Sequence, residues 1–334
     1  MKDTQKTLMS VKNLSTSFVS KNGNIPAISN VSFDIAPRKS IALVGESGCG
    51  KSVTALSILR LLSEPPARIT ADYVKFGDID MMKLSQAELR KMRGKDISMI
   101  FQEPMTSLNP LLTVGFQIAE PVQVHLHMKK KEAFEYAVDM LNAVGIPDAR
   151  KRAAEYPHQM SGGMRQRVMI ALALSCNPQL LIADEPTTAL DVTIQSQILD
   201  LIAKLQHERN MSMLLITHNL GVVAEVADEV IVMYAGQIIE TMPVNTVFSH
   251  PWHPYTHGLL RSIPSVERKV KELNVIPGVV PSPLFFSKYC RFASRCKYAT
   301  ERCRQESPQL VEVEPGHQVR CFCPLSDERG MIND

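Results

Sequence analysis

The order of apolar and polar residues predicts a sheet-rich start, a helical middle and a return to buried strands. Val11, Leu14 and Phe18, then Val31, Phe33 and Ile35, alternate with polar positions around Lys21-Asn22-Gly23-Asn24. Period-two alternation broken by an Asn/Gly turn predicts antiparallel strands joined as a hairpin. Ser40-Ile41-Ala42-Leu43-Val44 is a continuous apolar run that suits a fully buried strand, and a helix is expected over Ser52–Leu62. From about Pro104 to Ala173 the spacing turns helical, punctuated by Pro110, Gly115, Pro121, Gly145, Pro147 and Pro157. Leu180–Ala183 and Met213–Ile216 read as further short buried strands. Strands alternating with helices predict an α/β fold on a largely parallel sheet. Beyond about Arg261 come prolines 264, 277, 281 and 283 and then a cysteine cluster. The expected domains are therefore 1–260, with a helical subdomain over about 104–175, and 261–334; no internal repeat is visible.

Composition narrows the class. The chain has 334 residues and is 45% hydrophobic, enough for a sizeable core. Its net charge of +3 gives no reason to expect nucleic acid or an anionic surface as a partner. The start, MKDTQKTLMSVKNL, carries charges where a secretory signal needs an apolar core, and no stretch approaches the roughly 18–20 apolar residues of a membrane span. A cytosolic character is expected, with any membrane link made through another protein.

Gly45-Glu46-Ser47-Gly48-Cys49-Gly50-Lys51-Ser52 fits GxxxxGK[ST] between a predicted strand and a predicted helix, the context that makes the pattern a phosphate site. Its glycines let backbone N–H groups curl around phosphates at a helix N-terminus. Lys51 is placed to reach the β- and γ-phosphates and the Ser52 hydroxyl to ligate Mg²⁺, with Val53 next along the helix. About 130 residues on, the apolar strand Leu180–Ala183 ends in Asp184 and Glu185. Asp184 suits the oxygen shell of Mg²⁺, and Glu185 suits polarisation of a water for in-line attack on the γ-phosphate.

Further motifs carry a family resemblance. Met160-Ser161-Gly162-Gly163-Met164-Arg165-Gln166-Arg167 resembles the ABC signature, and Thr188-Ala189-Leu190-Asp191 the D-loop. His218 resembles the switch histidine, and Gln102 in Met99-Ile100-Phe101-Gln102-Glu103 the Q-loop glutamine. Their order matches ABC ATPases over roughly residues 8–258. The resemblance implies a RecA-like parallel core with an antiparallel β subdomain and a helical subdomain. It implies that Ser161, Gly162, Gly163 and Asp191 serve ATP held by the opposite subunit of a dimer. It also implies that His218 contacts the γ-phosphate and that Gln102 joins the Mg²⁺ shell with Ser52 and Asp184. Phe18 lies where the family stacks an aromatic on adenine, and a buried strand phenylalanine is the competing view. Met164 replaces the usual glutamine of the signature; SGGMRQR is typical of the peptide-importer branch.

The C-terminal stretch sharpens this. His253-Pro254-Tyr255-Thr256, Leu259-Leu260, Pro264 and Pro277-Gly278 resemble the C-terminal domain of dipeptide and oligopeptide importer ATPases. Five of the seven cysteines lie in the last 45 residues, and Cys290, Cys296, Cys303 and Cys321 follow at gaps of x5, x6 and x17. Four thiolates suit a [4Fe–4S] cluster or structural zinc, or else stay unliganded. The branch resemblance implies the cluster, and Cys323 could substitute for Cys321. It further implies a second, related but different ATPase chain, two membrane-spanning permease subunits and a separate substrate-binding protein. The place of work is then the cytoplasmic face of the inner membrane. Nickel, glutathione and haem are the alternative cargoes. A soluble ABC ATPase of DNA repair or ribosomes would show duplicated cassettes or coiled-coil insertions, and a binding-only module would lack Lys51, Asp184, Glu185 or His218.

Overall fold

A computed structural model describes residues 7–21, 23–102, 107–187, 191–262 and 276–325. Asn22, Glu103, Pro104, the D-loop residues Thr188, Ala189 and Leu190, and Pro264 lie outside these. The chain divides into two compact units, one from residues 1–35, 41–82 and 217–334 and the other from 36–40 and 83–216.

The first unit opens on β1 (Met9–Ser20) and β2 (Gly23–Ile35), antiparallel from Met9↔Ile35 to Ser20↔Gly23, as the alternation predicts. Gly23 has φ 106, a value that costs glycine nothing. β4 (Ala67–Thr70) and β5 (Tyr73–Phe76) pair with β1 at Phe18↔Ala67 and Val11↔Val74, and β6 (Ile79–Asp80) pairs with β5. β3 (Ser40–Val44) is buried at every position, because strands flanked in parallel are covered on both faces. It runs parallel to β10 (Glu229–Tyr234), which turns at Ala235-Gly236 into β11 (Gln237–Pro243). Both turn residues have positive φ, 47 and 79, as a two-residue hairpin of the right twist requires. The C-terminal stretch adds β12 (Val311–Glu314) and β13 (His317–Val319), with β13 paired to β11 at Glu240↔Val319 and Thr241↔Gln318. Ala42, Val44, Val232, Tyr234, Tyr255 and Phe292 share one buried cluster, and Cys290 and Cys296 pack against its margin.

In the second unit β7 (Ile97–Ile100), β8 (Leu180–Asp184) and β9 (Ser212–Thr217) run parallel, paired Ile100↔Ala183 and Ala183↔Leu215. The predicted helical stretch resolves into helices Val114–Leu126, Lys130–Ala143, Ala149–Ala153 and Gly162–Leu174. The expected helix over Ser52–Leu62 is shorter, spanning Lys51–Ile58. It stops because Arg60 adopts φ 49 and Leu61 N–H closes back onto the Leu56 carbonyl. Among the described residues no helix is long and apolar enough to cross a membrane.

Candidate functional site

β3 ends at Val44 and the chain runs through Gly45–Gly50 into the helix that starts at Lys51. Gly45, Gly48 and Gly50 have φ of 152, 79 and 106. A Cβ on Gly45 would strike the Met233 carbonyl oxygen, and one on Gly50 would meet Ile28 Cγ2 at 2.7 Å. Both glycines are therefore fixed by close packing as well as by φ. Gly236 N–H in the β10–β11 turn donates to the Cys49 carbonyl at 2.8 Å, pinning the loop from beneath. Lys51 is buried, and its Nζ donates to the Gly45 and Glu46 carbonyls at 2.8 and 3.2 Å. The lysine thus folds back over the loop, where it can meet phosphate oxygens. Ser52 and Val53 follow half-buried, and Ser47 and Gly48 are exposed. Cys49 is fully buried; burial pushes its thiol pKa up although the Lys51 ammonium opposes this, so the unreactive thiol is favoured.

His218 is exposed just past β9, and Asn219 caps the helix Leu220–Val226 by accepting the Gly221 N–H at 3.1 Å. His218 and Asn219 line a cleft of about 430 Å³ with Val44, Gly45 and Glu46. The same unit therefore brings His218 and the Gly45–Glu46 end of the glycine-rich loop to one opening. Phe18 lies half-buried in β1, between Ile25 of β2 and Ala67 of β4.

In the second unit Asp184 is buried at the end of β8, paired with Ile216 of β9. Glu185 follows with φ 45, a conformation uncommon outside glycine and asparagine, held by its N–H on the Ile216 carbonyl at 2.9 Å. Gln102 Nε2 donates to Glu185 Oε2 at 3.2 Å. Ser161 caps the helix Gly162–Leu174 by accepting the Met164 N–H at 3.3 Å, with Gly162 and Gly163 in its first turn. Asp191 is the exposed N-cap residue of the helix Val192–Glu208. Gln166, buried inside the signature helix, donates to the Pro186 carbonyl, one residue past Glu185. In the sequence Gln166 stands inside the signature-like run, but nothing there marks its bond to Pro186.

The C-terminal thiols are neighbours. Burial raises the pKa of Cys290, of Cys296 to about 11 and of Cys321 to about 12, and the nearby thiols add to the rise. Cys303 is buried, and its carbonyl accepts the Cys290 N–H at 3.3 Å. Cys321 Sγ accepts the Cys323 N–H at 3.3 Å, the kind of backbone bond that also stabilises a thiolate ligand. Thiols are a donor type that metal centres use, but their present spacing does not bring them together as one. No group of three or more such side chains among the described residues stands gathered as a ligand set.

Three comparisons bear on this geometry. Residues 28–188 match the ABC transporter family and residues 239–303 the oligopeptide/dipeptide transporter C-terminal region. The oligopeptide transport ATP-binding protein AppD of Bacillus subtilis is 52% identical over 324 residues, covering 97% of this chain and 98% of its own. The dipeptide transport ATP-binding protein DppD of Escherichia coli is 47% identical over 320 residues, covering 96% and 98%. Among solved structures, the ATP-binding cassette MJ0796 in a dimeric post-hydrolysis state bound to ADP and Pi matches with a TM-score of 0.64. It is 28% identical and covers 71% of this chain and 98% of that one. This chain belongs to the oligopeptide and dipeptide branch of the ABC transporter ATP-binding proteins.

Proposed function

We propose that this chain binds and hydrolyses ATP to drive peptide import, with the Lys51 loop as its phosphate cradle. The observation that carries the reading is the fully buried strand β3 opening into Gly45–Gly50, with Lys51 turned back on the loop carbonyls. Backbone N–H groups of the loop and Lys51 hold the β- and γ-phosphates. Asp184, Ser52 and Gln102 supply oxygen donors for Mg²⁺, which neutralises charge on the phosphates when bound. Glu185 takes a proton from water as the water oxygen attacks the γ-phosphorus and the bond to the β-phosphate oxygen breaks, releasing ADP and phosphate. His218 steadies the γ-phosphate, and Phe18 offers a ring to adenine.

The Ser161–Gly163 helix start, with Asp191, completes the site of a partner cassette, so that ATP closes a dimer. The matched cassette structure is itself dimeric, which supports this. The partner is read as a related second ATPase chain, and the pair drives two permease subunits fed by a separate binding protein. The chain then works at the inner face of the membrane through those permeases. The domain carrying this chemistry is read as residues 1–260. In 261–334, Cys290, Cys296, Cys303 and Cys321 are read as holding a [4Fe–4S] cluster, with zinc as the alternative, supported by the thiol donor set.

Glu185→Gln tests the reading. Turnover is expected to fall by about 10²- to 10⁴-fold while ATP binding persists and the closed dimer accumulates. Undiminished hydrolysis removes Glu185 from this role.

A further inference from the structure

Glu46 is the second residue of the phosphate loop, and both of its polar ends are held by the C-terminal region. Its backbone N–H donates to Tyr255 Oη at 2.9 Å. Its carboxylate receives the Arg295 guanidinium as a fork, from Nη1 at 2.7 Å and Nη2 at 3.1 Å. The Arg295 side chain is only 4% exposed. It also reaches backbone: Nε donates to the Pro277 carbonyl at 2.8 Å, and Nη2 lies within hydrogen-bond distance of the Ile276 and Gly278 carbonyls at 3.3 and 3.2 Å. The guanidinium carbon lies 5.7 Å from the centre of the buried Tyr234 ring. Burial works against the charge of Arg295, and the bonds to Glu46 overcome it, so the group stays cationic. Such a bidentate, pre-organised fork fixes a carboxylate in angle as well as distance.

The consequence runs through the loop backbone. Three glycines leave Gly45–Gly50 with few intrinsic restraints, so its bound shape must be held from outside or assembled at entropic cost on each binding event. The Glu46 carbonyl is also one of the two acceptors that hold Lys51 Nζ. Arg295 thus fixes Glu46, and Glu46 fixes the resting place of the phosphate-binding lysine.

We propose that Arg295 is a positioning residue for ATP binding, clamping the phosphate loop through Glu46 in its receptive shape. This rests on the ATPase reading above. Arg295 touches no reacting atom, so it should lower the cost of binding without altering the chemical step. That signature is a raised KM with kcat preserved.

The test measures ATP affinity, by displacement of a fluorescent ATP analogue, and steady-state ATPase constants of the full-length chain. It compares wild type, Arg295→Ala, Arg295→Lys, Glu46→Gln and the Arg295→Ala/Glu46→Gln double variant. Arg295→Ala is expected to raise Kd and KM by about 5- to 30-fold with kcat within about twofold, and Glu46→Gln to raise Kd by a similar factor, since a hydrogen bond between charged groups is lost. Arg295→Lys should recover part of the loss, because it keeps the charge without the fork. The double variant should be no worse than the weaker single variant, since both remove one interaction. Affinities within about twofold of wild type in both single variants, or losses that multiply in the double variant, overturn the inference. If Arg295→Ala does not fold, Glu46→Gln decides alone, because it leaves the Arg295 contacts to three carbonyls in place. A wild-type chain that binds no ATP would overturn the ATPase reading itself, and is distinguished by the wild-type arm.

Discussion

Removing the imidazole of His317 isolates the energetic value of the C-terminal hairpin. His317 Nε2 and Glu240 Oε1 lie 2.8 Å apart, with side chains 1% and 0% exposed. Glu240 Oε1 also accepts the Trp252 N–H at 2.6 Å, and Oε2 the His253 N–H at 3.1 Å. One carboxylate thereby ties β13 to the chain segment that leads into the helix Pro254–Arg261. In His317→Ala, Oε1 keeps Trp252 but loses its second partner, at about 1–3 kcal/mol for a buried acceptor. The vacated ring space, beside a Trp252 ring with its centroid 6.2 Å away, adds on the order of 1–2 kcal/mol. The sum is about 2–5 kcal/mol, and a Tm drop on the order of 10 °C follows for a domain of this size. Denaturant unfolding followed by circular dichroism, with calorimetry alongside, gives the number. His317→Gln, whose amide restores a donor, should recover at least about half of the loss. A His317→Ala variant within about 0.5 kcal/mol of wild type, or a glutamine variant no better than alanine, refutes the argument.

His253 gives a pH prediction. Burial, with Arg320 nearby, lowers its pKa from 6.5 to about 3, so the unfolded chain takes up a proton that the folded chain refuses. Stability should be flat above about pH 6.5 and fall toward pH 3 by on the order of 1 kcal/mol per unit. His253→Asn, which keeps an acceptor for the Tyr255 N–H, should flatten that slope; a wild-type midpoint equal at about pH 5 and pH 7.5 contradicts it. For the cysteines, chain purified without oxygen is expected to be brown and to carry about four iron and four sulfide per chain; colourless protein with stoichiometric zinc decides for zinc.

The strands β3, β8 and β9 were legible because continuous apolar runs such as Leu180-Leu181-Ile182 admit no other face assignment. β4 and β5, four residues each with sequences ARIT and YVKF, were not, since so short a segment shows no period. The strand-to-helix turn over Gly45–Ser52 is legible because its pattern is local, eight residues in a row. Tyr255 and Arg295 act on Glu46 from 209 and 249 positions away, and nothing in their neighbourhoods advertises that partnership. Glu240 did leave a trace: an acid within the apolar strand QIIETMP, which only a buried partner makes tolerable.

The hairpin of β12 and β13 also settles what happens at the flank of the first unit's sheet. Its pairing with Glu240 and Thr241 occupies amides and carbonyls of β11 that would otherwise offer themselves to any extended chain nearby. Those groups sit beside buried Ile238 and Ile239, the apolar company in which stray strand addition becomes self-propagating. A chain cut before Val311 is therefore expected to self-associate more readily than the intact one, because β11 then becomes the open edge.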